Sequence, residues 1–251
     1  MVNNSPWPLT TSLSLWSLII GFVLAINNQG NNTIIIISMI NIVYSVYKWL
    51  REVIIEGTYK GEHTKKVQEN IRIGFLLFIV SEVVIFATLF YCLFFNKIIP
   101  SVETNNTLIG PGIEVIKYES IPLFNTCLLF FGSLTCTGAQ YYIIVKNKSK
   151  VIELLIITII LNVIFSFLQF FEYFYSPFTL TDSFYGSIFF FLTGCHALHV
   201  IVGTLLIVAA LARVNHYSNN HHMLSSLANY YAHMVDNVWL VLYAILYVYL
   251  S

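Results

Sequence analysis

Charge is what this sequence has least of. Lysine, arginine, aspartate and glutamate make up 10% of its 251 residues, against roughly 25% in ordinary soluble domains. Twelve basic residues balance twelve acidic ones and no basic block stands out, so nothing suggests a nucleic-acid partner. Cysteine is scarce as well. Cys92, Cys127, Cys136 and Cys195 fall singly in apolar runs without CxxC or CxxH spacing, which argues against a disulfide framework and against a thiolate metal site. Alanine, glycine and proline are few beside Ile, Asn, Phe, Tyr and Lys, the balance that an AT-rich genome writes, and organellar genomes are often AT-rich. The opening stretch MVNNSPWPLTTS lacks the basic n-region of a signal peptide and the Arg-rich amphipathicity of a transit peptide. The expectation is a chain made in the compartment where it is used.

What the sequence has in excess is apolar surface: 57% of residues are hydrophobic and the mean hydropathy is +0.76. A helix needs about 20 apolar residues to cross the hydrocarbon core. Such windows occur at roughly 9–26, 33–50, 73–95, 121–145, 151–175, 185–211 and 227–250. The breaks INNQGNN, TNNTLIGPGIE, VKNKSK, SPFTLTDS and NHYSNNHH carry turn chemistry. The fold class expected is therefore an all-α membrane protein of seven transmembrane helices. It forms a single polytopic domain over 1–251, with the first two spans set apart by the polar segment 51–72. On one side of the membrane lie Lys48, Arg51, Lys60, Lys65, Lys66, Arg72, Lys146, Lys148, Lys150 and Arg213, and on the other only Lys97 and Lys117. The positive-inside rule then puts the N-terminus in the matrix of a mitochondrion or the cytoplasm of a bacterium.

Polar residues inside these spans are the candidates for function. Glu82 sits in LFIVSEVVIF, ten residues after Arg72 and so ~15 Å from one interface at 1.5 Å per residue. Such a carboxyl costs several kcal/mol unless paired, protonated or wetted. Two readings fit: a proton-handling or lipid-contacting acid, or a protonated acid bonded to a neighbouring helix. His196 and His199 stand at i, i+3 in span 6, and His233 and Asp236 at the same spacing in span 7. Three imidazoles could ligate haem iron or copper. Two on one helix at i, i+3 cannot bind opposite faces of one haem, and core hydrogen bonding is the plainer role. Gln169 and Glu172 share a face near the far interface, where an interhelical hydrogen bond is expected. The stretch WLREVIIEGTYKGEHT at 49–64 reads either as a helix extension lying at the interface, anchored by Trp49 and Tyr59, or as a solvated loop.

Seven motifs in order then resemble one family. They are SPWPLT at 5–10, WLREVIIEGTYKGEHTKKVQ at 49–68, GFLLFIVSEVVIF at 74–86, PLFNTCLL at 122–129, LQFFEYFYSPFTLTDSFYGSIFF at 168–190, TGCHALHVIVGT at 193–204 and YYAHMVDNVWLVLY at 230–243. The sequence resembles subunit III of the haem–copper cytochrome c oxidases, most of all the mitochondrial form. That resemblance implies helices 1–2 separated from helices 3–7 by a lipid-filled V-shaped cleft. It implies a multi-pass place in the mitochondrial inner membrane, with the N-terminus in the matrix and the C-terminus in the intermembrane space. It implies no cofactor in this chain beyond structural phospholipids, haem and copper being held by partner subunits I and II, and accessory subunits as further partners. Glu82 matches a glutamate facing lipid toward subunit I; His63 and Arg213 match residues near phospholipid head groups, with Trp49 on the same rim. His196, His199, His233 and Asp236 are assigned by the resemblance to interhelical packing. The sequence departs from the family at Leu50, Ile55 and Glu62, at Gly138–Tyr141, where GAQY stands for WAHH, and at Ser226, where a glutamate is usual.

The implied role is a non-catalytic core subunit of the proton-pumping oxidase: it stabilises subunit I, sustains proton uptake on the matrix side and gives oxygen a route through lipid. Glu62, His63 and the His221–His222 pair form a surface able to buffer near about pH 7, unless they are simply solvated loop residues. The rival class is a polytopic transporter or a haem-binding cytochrome, with Glu82 as a relay. Transporters often show inverted repeats and broken helices, and neither is present in the sequence.

Overall fold

The computed structural model describes residues 4–27, 32–99, 109, 113–216 and 222–250. Parts of the turn stretches around 28–31, 100–108, 110–112 and 217–221, including His221, lie outside the described residues. Seven long helices carry the chain: α1 (Trp7–Ile26), α2 (Thr33–Thr58), α3 (Lys65–Ile98), α4 (Ile121–Ile144), α5 (Lys148–Phe174), α6 (Phe184–Ala212) and α7 (Met223–Leu242). Each is long and apolar enough to span a bilayer, the last together with the π-helical stretch Tyr243–Tyr249 that continues α7. The polar segment that follows span 2 is mostly helical. α2 runs on to Thr58 and α3 begins at Lys65, leaving a short turn in which Gly61 takes φ 65°, a value that favours glycine.

The chain divides into two compact units, Met1–Ile71 and Arg72–Ser251. In the first, α1 and α2 pack antiparallel through small residues, as helices in lipid must when apolar area gives no drive to associate. Gly21 lies against Ile35, whose Cγ1 would stand 3.0 Å from an added Cβ, and the Ser17 and Ser38 hydroxyls pair at 2.8 Å. Trp7 meets the Tyr44 ring edge-on at 6.2 Å, and Ser5 donates to Glu52, which ties the chain before α1 to α2.

In the second unit α4 packs on α5, α5 on α6, α6 on α7, and α7 back on α4, closing a four-helix ring. The α4–α5 hairpin turns at Lys146, whose φ of 64° ends α4 in the left-handed region, and Asn147 caps α5 by accepting from the Lys150 amide. Its antiparallel register faces Gly138 with Leu154, Thr135 with Thr158, and Gly132 with Asn162. The α5–α6 loop is held by Asp182, which accepts from the Thr179 backbone N–H at 2.6 Å and from its hydroxyl at 2.8 Å. Those bonds hold the Asp182 carboxyl below its ordinary range. The core of the ring is aromatic, built on Phe165, Tyr185, Phe189, Trp239 and Tyr247. α7 is the most buried span and α3 the least. α3 meets the ring through large side chains: Phe75 and Phe78 lie against Tyr231, and Phe86 against His199.

Candidate functional site

On α3 the positions one turn either side of Glu82 are Phe78, Ile79, Ile85 and Phe86, all apolar, and α6 supplies a polar partner. His199 Nε2 lies 2.7 Å from Glu82 Oε2, and its Nδ1 lies 2.6 Å from the Cys195 carbonyl oxygen. A carbonyl only accepts, so Nδ1 carries a hydrogen. One further proton then belongs to the Nε2–Oε2 contact, on one atom or the other. Either way the pair carries no net charge, which is how a glutamate is tolerated in the middle of this span. Phe86 packs edge-on to the imidazole at 5.0 Å and Tyr231 stacks on it at 6.3 Å, leaving both partners mostly covered. The four residues Phe86, Glu82, His199 and Tyr231 thus join α3, α6 and α7.

The other intramembrane histidines turn to different neighbours. His196 is fully buried between Phe165 and Trp239, and its Nε2 donates to the Val235 carbonyl at 3.2 Å. His233 is spanned by two hydroxyls of α4, Ser133 at Nδ1 and Thr137 at Nε2, each at 2.9 Å. Ser133 also lies within hydrogen-bonding reach of Asp236. The two imidazoles of α6 therefore face separate helices, and His233 faces a third. Among the described residues, no three His, Cys, Asp or Glu side chains converge as a metal site requires.

At the other end of the ring Glu172 is buried and accepts from the Tyr247 hydroxyl, while Gln169 lies one turn before it on the same buried face. Nearby, Tyr173 and Thr193 pair at 2.6 Å, and the Trp239 indole donates to Thr126 at 3.0 Å. Tyr247 reaches Glu172 because the chain is π-helical there. Eight residues of α-helix after Trp239 would leave position 247 ~80° off the Trp239 face. The wider π turn restores the phase, and Trp239 and Tyr247 lie with ring centroids 6.1 Å apart.

Of the residues read as a lipid rim, Trp49 and His63 belong to the first unit, and Glu82 and Arg213 to the second. Trp49 is exposed on α2. His63 sits directly over Gly57, where an added Cβ would stand 2.7 Å from its Nδ1, so glycine is what admits the ring. Gln68 donates to the His63 carbonyl at 2.9 Å and fixes the turn into α3. Glu56 is buried at the end of α2, and Arg213 caps α6. Two of the departures noted in the sequence turn out to be one: Gln140 accepts from Ser225 at 3.1 Å and donates to Ser226 at 2.8 Å. The two positions thus form one neutral α4–α7 contact.

Sequence reasoning did not find Ser133, Thr137 or Tyr247, since hydroxyls in an apolar helix carry no signal until a partner is known. Nor did it pair Glu82 with His199. With the geometry in place, comparison with known proteins is direct. The family model for cytochrome c oxidase subunit III matches residues 1–251. The protein named cytochrome c oxidase subunit 3 from Tachyglossus aculeatus aculeatus is 39% identical over 249 residues, covering 98% of this chain and 95% of that one. Its namesakes from Prototheca wickerhamii and Candida parapsilosis are each 38% identical, over 250 and 252 residues, covering 98% of this chain and 95% and 93% of theirs.

Proposed function

Because this chain belongs to the cytochrome c oxidase subunit III family, and is thereby a subunit of a respiratory oxidase, we propose that it serves that complex as a non-catalytic core subunit. Its work is to hold subunit I in shape and to support proton uptake and oxygen access, while electrons pass from cytochrome c to O2 through haem and copper in subunits I and II. The observation that carries this reading is how the intramembrane histidines are used. Both nitrogens of His199 and both of His233 are engaged by protein groups on neighbouring turns or helices, which suits packing rather than ligation.

The same reading places the chain in the mitochondrial inner membrane with its N-terminus in the matrix, supported by the lysines and arginines gathered on that side. It assigns phospholipid head groups to Trp49 and His63 in the first unit and to Arg213 in the second, a guanidinium and an imidazole being apt partners for phosphate. Glu62 and His63 supply titratable groups on the proton-uptake side.

The test is affinity purification through a tag on this chain. The eluate should carry haem and copper with oxidase activity, and the chain separated from its partners should show no Soret absorption and no stoichiometric iron, copper or zinc. A tagged chain that recovers no oxidase, or an isolated chain that retains one metal or haem, overturns the reading.

A further inference from the structure

The four-helix ring of the second unit encloses a small cavity among Gly132, Thr158, Asn162, Gly203, Val235 and Asp236. Gly132 and Gly203 line it, and an added methyl at Gly132 would meet Asn162 Oδ1 at 3.3 Å. The volume open to the centre of a water molecule is about 10 Å³, enough for one water and too little for a file of them. Its walls are apolar except at three side chains. Asn162 is 9% exposed, lines the cavity, and its carboxamide makes no hydrogen bond to any described residue. Thr158 donates to the Leu154 carbonyl at 2.9 Å and pairs with Thr135 at 2.8 Å, which leaves its oxygen a lone pair. Asp236 has Ser133 within reach of one side and the cavity on the other.

A carboxamide without a partner inside a membrane bundle is costly, because neither lipid nor a mobile solvent can satisfy it. We propose that one ordered water molecule is a constitutive part of this bundle, bound in the cavity by Asn162 and Thr158 of α5 and Asp236 of α7. It accepts from the Asn162 amide and donates to the Asp236 carboxyl and the Thr158 oxygen, within the two to four partners usual for a buried water. A hard cation would want about six oxygens, and the cavity offers three side chains. From Asp236, with Ser133 within reach, polar groups continue through the Ser133–His233 and His233–Thr137 hydrogen bonds to the exposed face of α4.

The experiment is a map of the assembled oxidase at a resolution that shows ordered waters, for wild type, Asn162→Leu and Gly132→Ala. In Gly132→Ala the new methyl would lie 3.3 Å from Asn162 Oδ1 and narrow the space. The expected result is a single peak within hydrogen-bond distance of all three side chains in wild type, lost in both variants. An empty cavity in wild type overturns the proposal, as does a peak that persists at full height in Asn162→Leu. A peak that strengthens when sodium in the buffer is replaced by rubidium also overturns it, since that would mark a cation. Should a variant fail to assemble, the wild-type and rubidium maps decide alone.

Discussion

Replacing Glu82 by leucine removes the partner of His199 Nε2 while keeping a side chain of similar bulk on α3. The imidazole is held in place by the Cys195 carbonyl, Phe86 and Tyr231, so it cannot swing away to find another donor. A buried acceptor left unsatisfied costs about 1–3 kcal/mol in a water-soluble protein. Within lipid the measured coupling of such pairs averages ~0.6 and reaches ~1.7 kcal/mol, because the membrane-inserted but unpacked chain finds partners too. The coupling energy expected from the cycle Glu82→Leu, His199→Leu and the double variant is therefore about 0.6–1.7 kcal/mol. Glu82→Gln should lose about half of that, since its amide can donate to Nε2 but makes a bond without charge assistance. Glu82→Lys places a fixed charge in the span at a cost of roughly 3 kcal/mol and should impair assembly. The assay is thermal unfolding of the purified oxidase, followed by the loss of this chain, with turnover and proton-pumping stoichiometry in vesicles alongside. Turnover and pumping of the glutamine variant should stay close to wild type. A coupling energy below about 0.3 kcal/mol would show that the contact is incidental. A glutamine variant that assembles normally but pumps poorly would show that ionisation of Glu82 belongs to the proton path.

Tyr247→Phe leaves the buried Glu172 carboxyl without its donor and should lower the stability of the second unit by about 2 kcal/mol; added Glu172→Leu should recover part of the loss, and a thermal melt of both variants checks it. Gly186→Ala drives a methyl into the Thr179 backbone carbonyl, which cannot move aside, so a cost of about 1–3 kcal/mol is expected, read as reduced yield and a lower melting midpoint. Gln140→Ala removes two bonds to Ser225 and Ser226 and should cost about 1–2 kcal/mol, whereas alanine at either serine alone should cost less. In the α5–α6 loop, Asp182 has a depressed folded-state value, so its contribution is present above the unfolded carboxylate range and lost as pH falls through the folded value. The protection of the Thr179 amide against hydrogen exchange, relative to its intrinsic rate at each pH, should fall on acidification below that range in wild type, and should already be low at neutral pH in Asp182→Asn.

The seven spans are legible in the sequence because length and hydropathy are all that a bilayer demands of a helix. Which face of each helix is buried is not legible. Lipid is as apolar as a protein core, so Ile, Leu and Phe cover exposed and buried faces alike; in α3, Val84 and Ile85 are exposed next to buried Phe86. The partners of Glu82 and Glu172 lie in other helices, far along the chain, and periodicity within one helix cannot name them. The motifs identify the family, yet they single out His199 and Glu82 separately and do not join them. The apparent departures at Gln140 and Ser226 look independent in sequence and prove to be one contact.

The π-helical end of α7 makes spacing, rather than composition, the information carried by the stretch between Trp239 and Tyr247. Each residue of an α-helix advances the chain by ~100°, so adding one amino acid there would carry everything after it about a quarter turn further. Tyr247 would swing off Glu172, and Lys97, which lies 3.5 Å over the Tyr249 ring, would lose its cap on the same move. Substitutions along this segment act one side chain at a time, whereas a single-codon insertion acts on all of them together. Removal of one exposed residue such as Val241 leaves a spacing of seven, which plain α-helix brings to within ~20° of the Trp239 face, so tolerance should be narrow toward insertion, wider toward deletion, and broad toward identity at the exposed positions.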